Sequence, residues 1–216
     1  SFVRTRAKGV LDTVVDTLEG IGPVLGINME RSVTIVAYNN YRDMSRSLPF
    51  RSQSVSESLQ TEGQAWPTER VVVVLMSGSS YKGVVSHEIT HILVGEASGK
   101  GYASVPAWLN EGLAEYGNLD PTPDYSRALA YGVYTRRIKP LWYLKEFSGN
   151  PDEIIISYGQ SSSVVRYLVD VYGKDKMADL MSTLQETLSI DKAMTNVYGF
   201  DQHGLDTEWR YAIGLE

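Results

Sequence analysis

The segment His87-Glu88-Ile89-Thr90-His91 sets two imidazoles four positions apart, with a carboxylate directly after the first. On a helix, residues four apart share one face about a turn apart, so both imidazoles can hold one metal ion. Glu88, rotated ~100° from His87, stands near that metal without pointing at it. It can then take a proton from a water that zinc has acidified towards pKa ~7. With three histidines in 216 residues, chance produces this pattern on the order of a few times in a thousand. The flanking Val84-Val85 and Ile92-Leu93-Val94 are what a buried helix carries.

Two histidines need a third protein ligand before the site can be catalytic. His203 lies in the polar stretch Asp201-Gln202-His203-Gly204 and reads as a surface-loop residue. The segment Pro106–Tyr116 (PAWLNEGLAEY) predicts a helix with Glu111 and Glu115 one turn apart on one face. If that face meets the histidine helix, Glu111 completes the metal set. Glu115 can then orient His87 or His91 through its free ring nitrogen. The alternative is that both acids face solvent.

The elements that must position these groups follow from periodicity. Ala7, Val10, Leu11, Val14, Val15 and Leu18 predict an amphipathic first helix, ended by Gly20 and Gly22-Pro23. Ser32–Tyr38 (SVTIVAY) predicts a strand before the turn pair Asn39-Asn40. One or two strands are expected between Phe50 and Trp66. The apolar run Val71–Met76 predicts a strand covered on both faces. After Ser77-Gly78-Ser79-Ser80 the pattern is helical throughout. Helices are expected near 83–95, 106–116, 125–136, 153–172, 174–188, 190–197 and 205–212, with Gly117 and Gly173 as C-terminal caps. The expected fold is α+β, in one catalytic domain. Its N-terminal lobe (1–98) has a small mixed sheet and carries the histidine helix. Its mainly helical C-terminal lobe (99–216) carries Glu111, and the metal cleft lies between the two.

Composition narrows the classes. A hydrophobic fraction of 43% and a charged fraction of 21% are those of an ordinary globular domain. A net charge of −6 argues against a nucleic-acid partner. The absence of cysteine excludes disulfides, a Cys-ligated zinc and a thiol nucleophile. No apolar run reaches the ~20 residues that span a bilayer.

HEITH at 87–91, followed by NEGLAE at 110–115, resembles the gluzincin metallopeptidases, the thermolysin-like clan. The separation of His91 and Glu111 by 20 positions is similar to that clan's. A closer likeness is to bacterial peptidase MA-like domains. It rests on the wording at Pro106–Tyr116, on Tyr158-Gly159-Gln160 leading into Val164-Val165-Arg166-Tyr167-Leu168, and on Glu208-Trp209-Arg210. The resemblance implies one Zn²⁺ per chain on His87, His91 and Glu111, with Glu88 as base and Glu115 bonded to the first histidine. It implies a peptide or protein substrate. It also implies a tyrosine, at the start of a later helix, that stabilises the oxyanion. Tyr158 matches that position best, and Tyr131, Tyr134 and Tyr167 are alternatives.

The clan's aminopeptidases carry a G-x-M-E-N type segment that binds the substrate amine, and nothing of that form precedes His87. Gly63–Trp66, next to Glu62, holds a comparable place and suits an edge strand for an extended peptide. The expectation is therefore an endopeptidase, ahead of an aminopeptidase or a non-catalytic zinc-binding module. Tyr102, Tyr131, Trp142 and Tyr143 are candidates for subsites, although aromatics at such spacings are more often core. A monomer is expected. So is a place outside the bacterial membrane or at the cell surface, on an anchor outside this sequence.

Overall fold

The computed structural model describes residues 2–29, 31–48, 61–77 and 81–215, with only the backbone of 2–5. Three strands form a mixed sheet in the order β1-β3-β2. β1 (Thr34–Tyr38) runs parallel to β3 (Val71–Leu75), and β2 (Gly63–Trp66) runs antiparallel to it. The continuous apolar run takes the centre because both of its faces are covered, and Val72, Val73 and Val74 are buried. β2 answers to the strand expected before Trp66; residues 50–60 of that stretch lie outside the described residues. Asn39-Asn40, read as a turn, leads into a short helix α2 (Tyr41–Ser45), with Asn40 accepting from the Asp43 amide at 3.0 Å.

The first helix corrects the expectation at both its face and its end. α1 spans Phe2–Leu25 and passes through Gly20, Gly22 and Pro23. It stops where Gly26 turns left-handed at φ 69° and the Ile27 amide bonds the Gly22 carbonyl at 3.1 Å, a Schellman closure. Burial of Ile21, Val24 and Leu25 carries the helix past the weak glycines. Leu11 and Val15 face solvent, while Thr13 and Thr17 are buried. Those two hydroxyls fit inside because each bonds the carbonyl four residues back, on Gly9 at 2.8 Å and Thr13 at 2.6 Å.

The remaining helices fall close to their expected places. They are α3 (Tyr81–Ser98), α4 (Ala107–Tyr116), α5 (Pro123–Tyr134), α6 (Pro151–Tyr172), α7 (Lys174–Thr187), α8 (Ile190–Tyr198) and α9 (Gln202–Ala212). Gly117 and Gly173 close α4 and α6, and Pro106 stands at the N-cap of α4 rather than inside it. α3 packs against α1, β2, β3, α4 and α7, which explains why it is apolar on nearly every side. One hydrophobic cluster takes in side chains from Val10 of α1 to Trp209 of α9. No described helix is long and apolar enough to cross a membrane.

Candidate metal centre

α3 delivers His87, Glu88 and His91 from a helix that is itself held on several sides. The Arg70 guanidinium pairs with Glu96 near its C-terminal end, tying the β2–β3 turn to the same helix. α4 is fixed more elaborately. Pro106 offers no side-chain cap, so the amides of Ala107 and Trp108 bond the Lys145 and Leu144 carbonyls, each at 3.0 Å. Trp108, one turn before Glu111, is buried and donates its indole N–H to Gln202 at 2.8 Å. Gly112 lets α4 approach α6, since a Cβ there would lie 2.5 Å from the Ser161 carbonyl oxygen. The result turns Asn110, Glu111 and Glu115 towards α3.

There the side chains converge. Glu111 Oε2 lies 3.3 Å from His87 Nε2 and 3.6 Å from His91 Nε2. One donor atom from each of the three residues falls within 4.8 Å of the others. Glu115 Oε1 accepts from His87 Nδ1 at 2.7 Å, and Asn110 Oδ1 from His91 Nδ1 at 3.0 Å. With both Nδ1 atoms occupied, both Nε2 atoms are left to face Glu111. Glu111 Oε2 is buried and makes no hydrogen bond of good geometry. Two imidazole nitrogens and one carboxylate oxygen are a donor set that suits zinc, with coordination left open.

Electrostatics separate the roles of the groups. Burial opposes a charge on His87, but Glu111 and Glu115 outweigh it and hold its pKa well above the usual value. Burial also pushes Glu111 upward, yet His91 and His87 prevail and its pKa falls. For Glu88 burial wins over both histidines and the pKa rises. The Ala65 backbone of β2 lies close to the Glu88 carboxyl and works weakly against that rise. Gly63 of the same strand leaves room for that carboxyl, because a Cβ there would sit 2.5 Å from Glu88 Cγ.

Tyr158 stands in the second turn of α6, with its hydroxyl within hydrogen-bonding reach of the Glu111 carboxylate. Burial first, then Glu111, holds that phenol well above its usual pKa, so it remains a donor. The other tyrosines are used differently. Tyr131 and Tyr134 are exposed, and Tyr167 reaches Glu208 with Tyr172. Tyr102 is in reach of Asn110, whereas Tyr143 is exposed. His203 is not in a loop: it lies in the first turn of α9, with its ring stacked on Trp142 at 3.9 Å.

Two residues at the site escaped the sequence reading. Asn110 precedes Glu111 directly, and that adjacency was the available signal. Tyr125, stacked on Tyr158, gave none.

The chain belongs to the Peptidase MA superfamily, whose family model matches residues 13–214. That membership suggests a peptidase, and the superfamily is typically zinc-dependent. No curated protein matches the chain, and no solved structure does.

Proposed function

We propose that this chain is a zinc metallopeptidase that cleaves peptide bonds with Glu88 as general base. The observation that carries the reading is Glu111 Oε2, buried without a good hydrogen bond and facing both Nε2 atoms. His87, His91 and Glu111 would hold the ion. When bound, zinc polarises a carbonyl and lowers the pKa of water.

The chain's own residues do the rest. Glu88 accepts a proton from the attacking water and hands it to the leaving amine. Its raised pKa brings it nearer to neutrality, where a general base both accepts and returns a proton efficiently. Tyr158 donates to the developing oxyanion, a bond typically worth ~10²–10³ in rate. Asn110 and Glu115 keep the two rings in their tautomers.

An endopeptidase is favoured over an aminopeptidase. No G-x-M-E-N type segment, which binds the substrate amine in the clan's aminopeptidases, precedes His87. Glu88 lies directly against β2.

The test is Glu88→Gln alongside His91→Ala. The first should keep about one equivalent of zinc and lose hydrolysis of a quenched-fluorescent peptide library, while the second should lose the metal. Activity retained in Glu88→Gln would sink the mechanism.

A further inference from the structure

The Tyr158 ring does not stand alone. It stacks on Tyr125 with centroids 5.1 Å apart and planes 12° from parallel. Phe147 meets it edge to face at 5.0 Å and 82°. The two tyrosines come from different helices, Tyr125 from the first turn of α5 and Tyr158 from α6. Their backbones touch as well: a Cβ on Gly159 would overlap the Tyr125 carbonyl oxygen, so only glycine allows this approach. The backbone contact sets the distance between the helices, and the stack sets the plane of the ring.

A phenol on two rotatable bonds can swing its hydroxyl by several ångströms unless its ring is held. We propose that Tyr125 is a positioning residue, whose ring face holds the Tyr158 phenol in line with Glu111 and the oxygen on which charge develops. The inference rests on the role given to Tyr158 above. It assigns the work to the ring of Tyr125 rather than to its hydroxyl, because stacking is a property of the face. A misplacement of an ångström or so at a reacting centre is enough to lower a rate substantially.

The test uses the zinc-loaded full chain with Tyr125→Leu, Tyr125→Phe, Tyr158→Phe and the double variant Tyr125→Leu/Tyr158→Phe. Zinc content by elemental mass spectrometry checks the fold; if Tyr125→Leu does not fold, Tyr125→Met replaces it. Two readouts are taken, peptide hydrolysis and the Kd of acetohydroxamate by calorimetry. Tyr125→Leu should lower kcat about tenfold with KM nearly unchanged, and weaken acetohydroxamate by about the same factor. Tyr125→Phe should restore most of both. The double variant should be no worse than Tyr158→Phe alone, because Tyr125 acts through Tyr158.

A Tyr125→Leu variant equal to the wild type, beside an impaired Tyr158→Phe, overturns this inference and leaves the role of Tyr158 standing. Full additivity in the double variant, or a Tyr125→Phe as poor as Tyr125→Leu, overturns it too. A fully active Tyr158→Phe overturns both.

Discussion

His87 Nδ1 lies 2.7 Å from Oε1 of Glu115, a buried carboxylate on a different helix 28 positions away. The contact leaves Nε2 turned towards Glu111, the atom that would meet zinc in the proposed site, and it raises the basicity of the ring. Glu115→Ala should therefore weaken zinc binding about 10–100-fold while leaving all three ligands in the chain. Competition against a chelator of known affinity reads this directly. Unchanged affinity would reduce Glu115 to a packing residue.

Asn110 does the equivalent for His91 through a neutral amide at 3.0 Å. Its bond lacks the charge that strengthens the Glu115 contact. Asn110→Ala should weaken zinc less than Glu115→Ala does, by about tenfold. The same competition assay compares the two, and the reverse order would contradict the assignment.

Gly63 lies against Glu88, the proposed base. A methyl group there would sit 2.6 Å from Glu88 Oε1, so the carboxyl must move. Gly63→Ala should keep its zinc and lose about tenfold or more in kcat. Equal activity with equal zinc would show that Glu88 tolerates displacement.

In the proposed site proton and zinc would compete for His87, whose pKa is held well above the usual value. The sign follows from that direction. Below the raised pKa each zinc bound must displace a proton, so affinity falls as pH falls. The fall should begin at a higher pH than for a free imidazole, and proton release on binding should grow as the solution is acidified. Calorimetry in two buffers of different ionisation enthalpy counts those protons. Zinc affinity independent of pH across the neutral range would rule out proton competition at His87.

How far the site could be read beforehand differs residue by residue. His87, Glu88 and His91 were legible because their relation is local: one helical turn puts them together whatever surrounds the helix. Glu111 and Glu115 were legible as a pair on one face of α4, but α4 packs on both α3 and α6. Periodicity says which side chains share a face and does not say which neighbour that face meets. Periodicity thus left the partner of Glu115 among the two histidines open; the family likeness pointed to His87, and the packing of α3 on α4 brings those two together.

The same limit explains the misplaced details. In α1 the apolar spacing admitted a face with Leu11 and Val15, yet the buried one includes Thr13 and Thr17. Threonine can be buried when its hydroxyl is satisfied within the helix, which hydrophobicity alone does not register. His203 looked like a loop residue because its neighbours are polar, but Asp201 caps α9 there, accepting from the His203 and Gly204 amides at 3.0 Å each.

What the sequence determined by itself was the turn that sets His87 and His91 on one helix face, the places of the longer helices and of β1 and β3, and the stops at Gly117 and Gly173. Each depends on residues within a few positions of one another. The tertiary structure decided the pairing of Asn110 with His91, the approach of Gly63 to Glu88, and the stack of Tyr125 on Tyr158. Those contacts join segments 19 to 33 positions apart, and their geometry is set by how whole helices and strands pack.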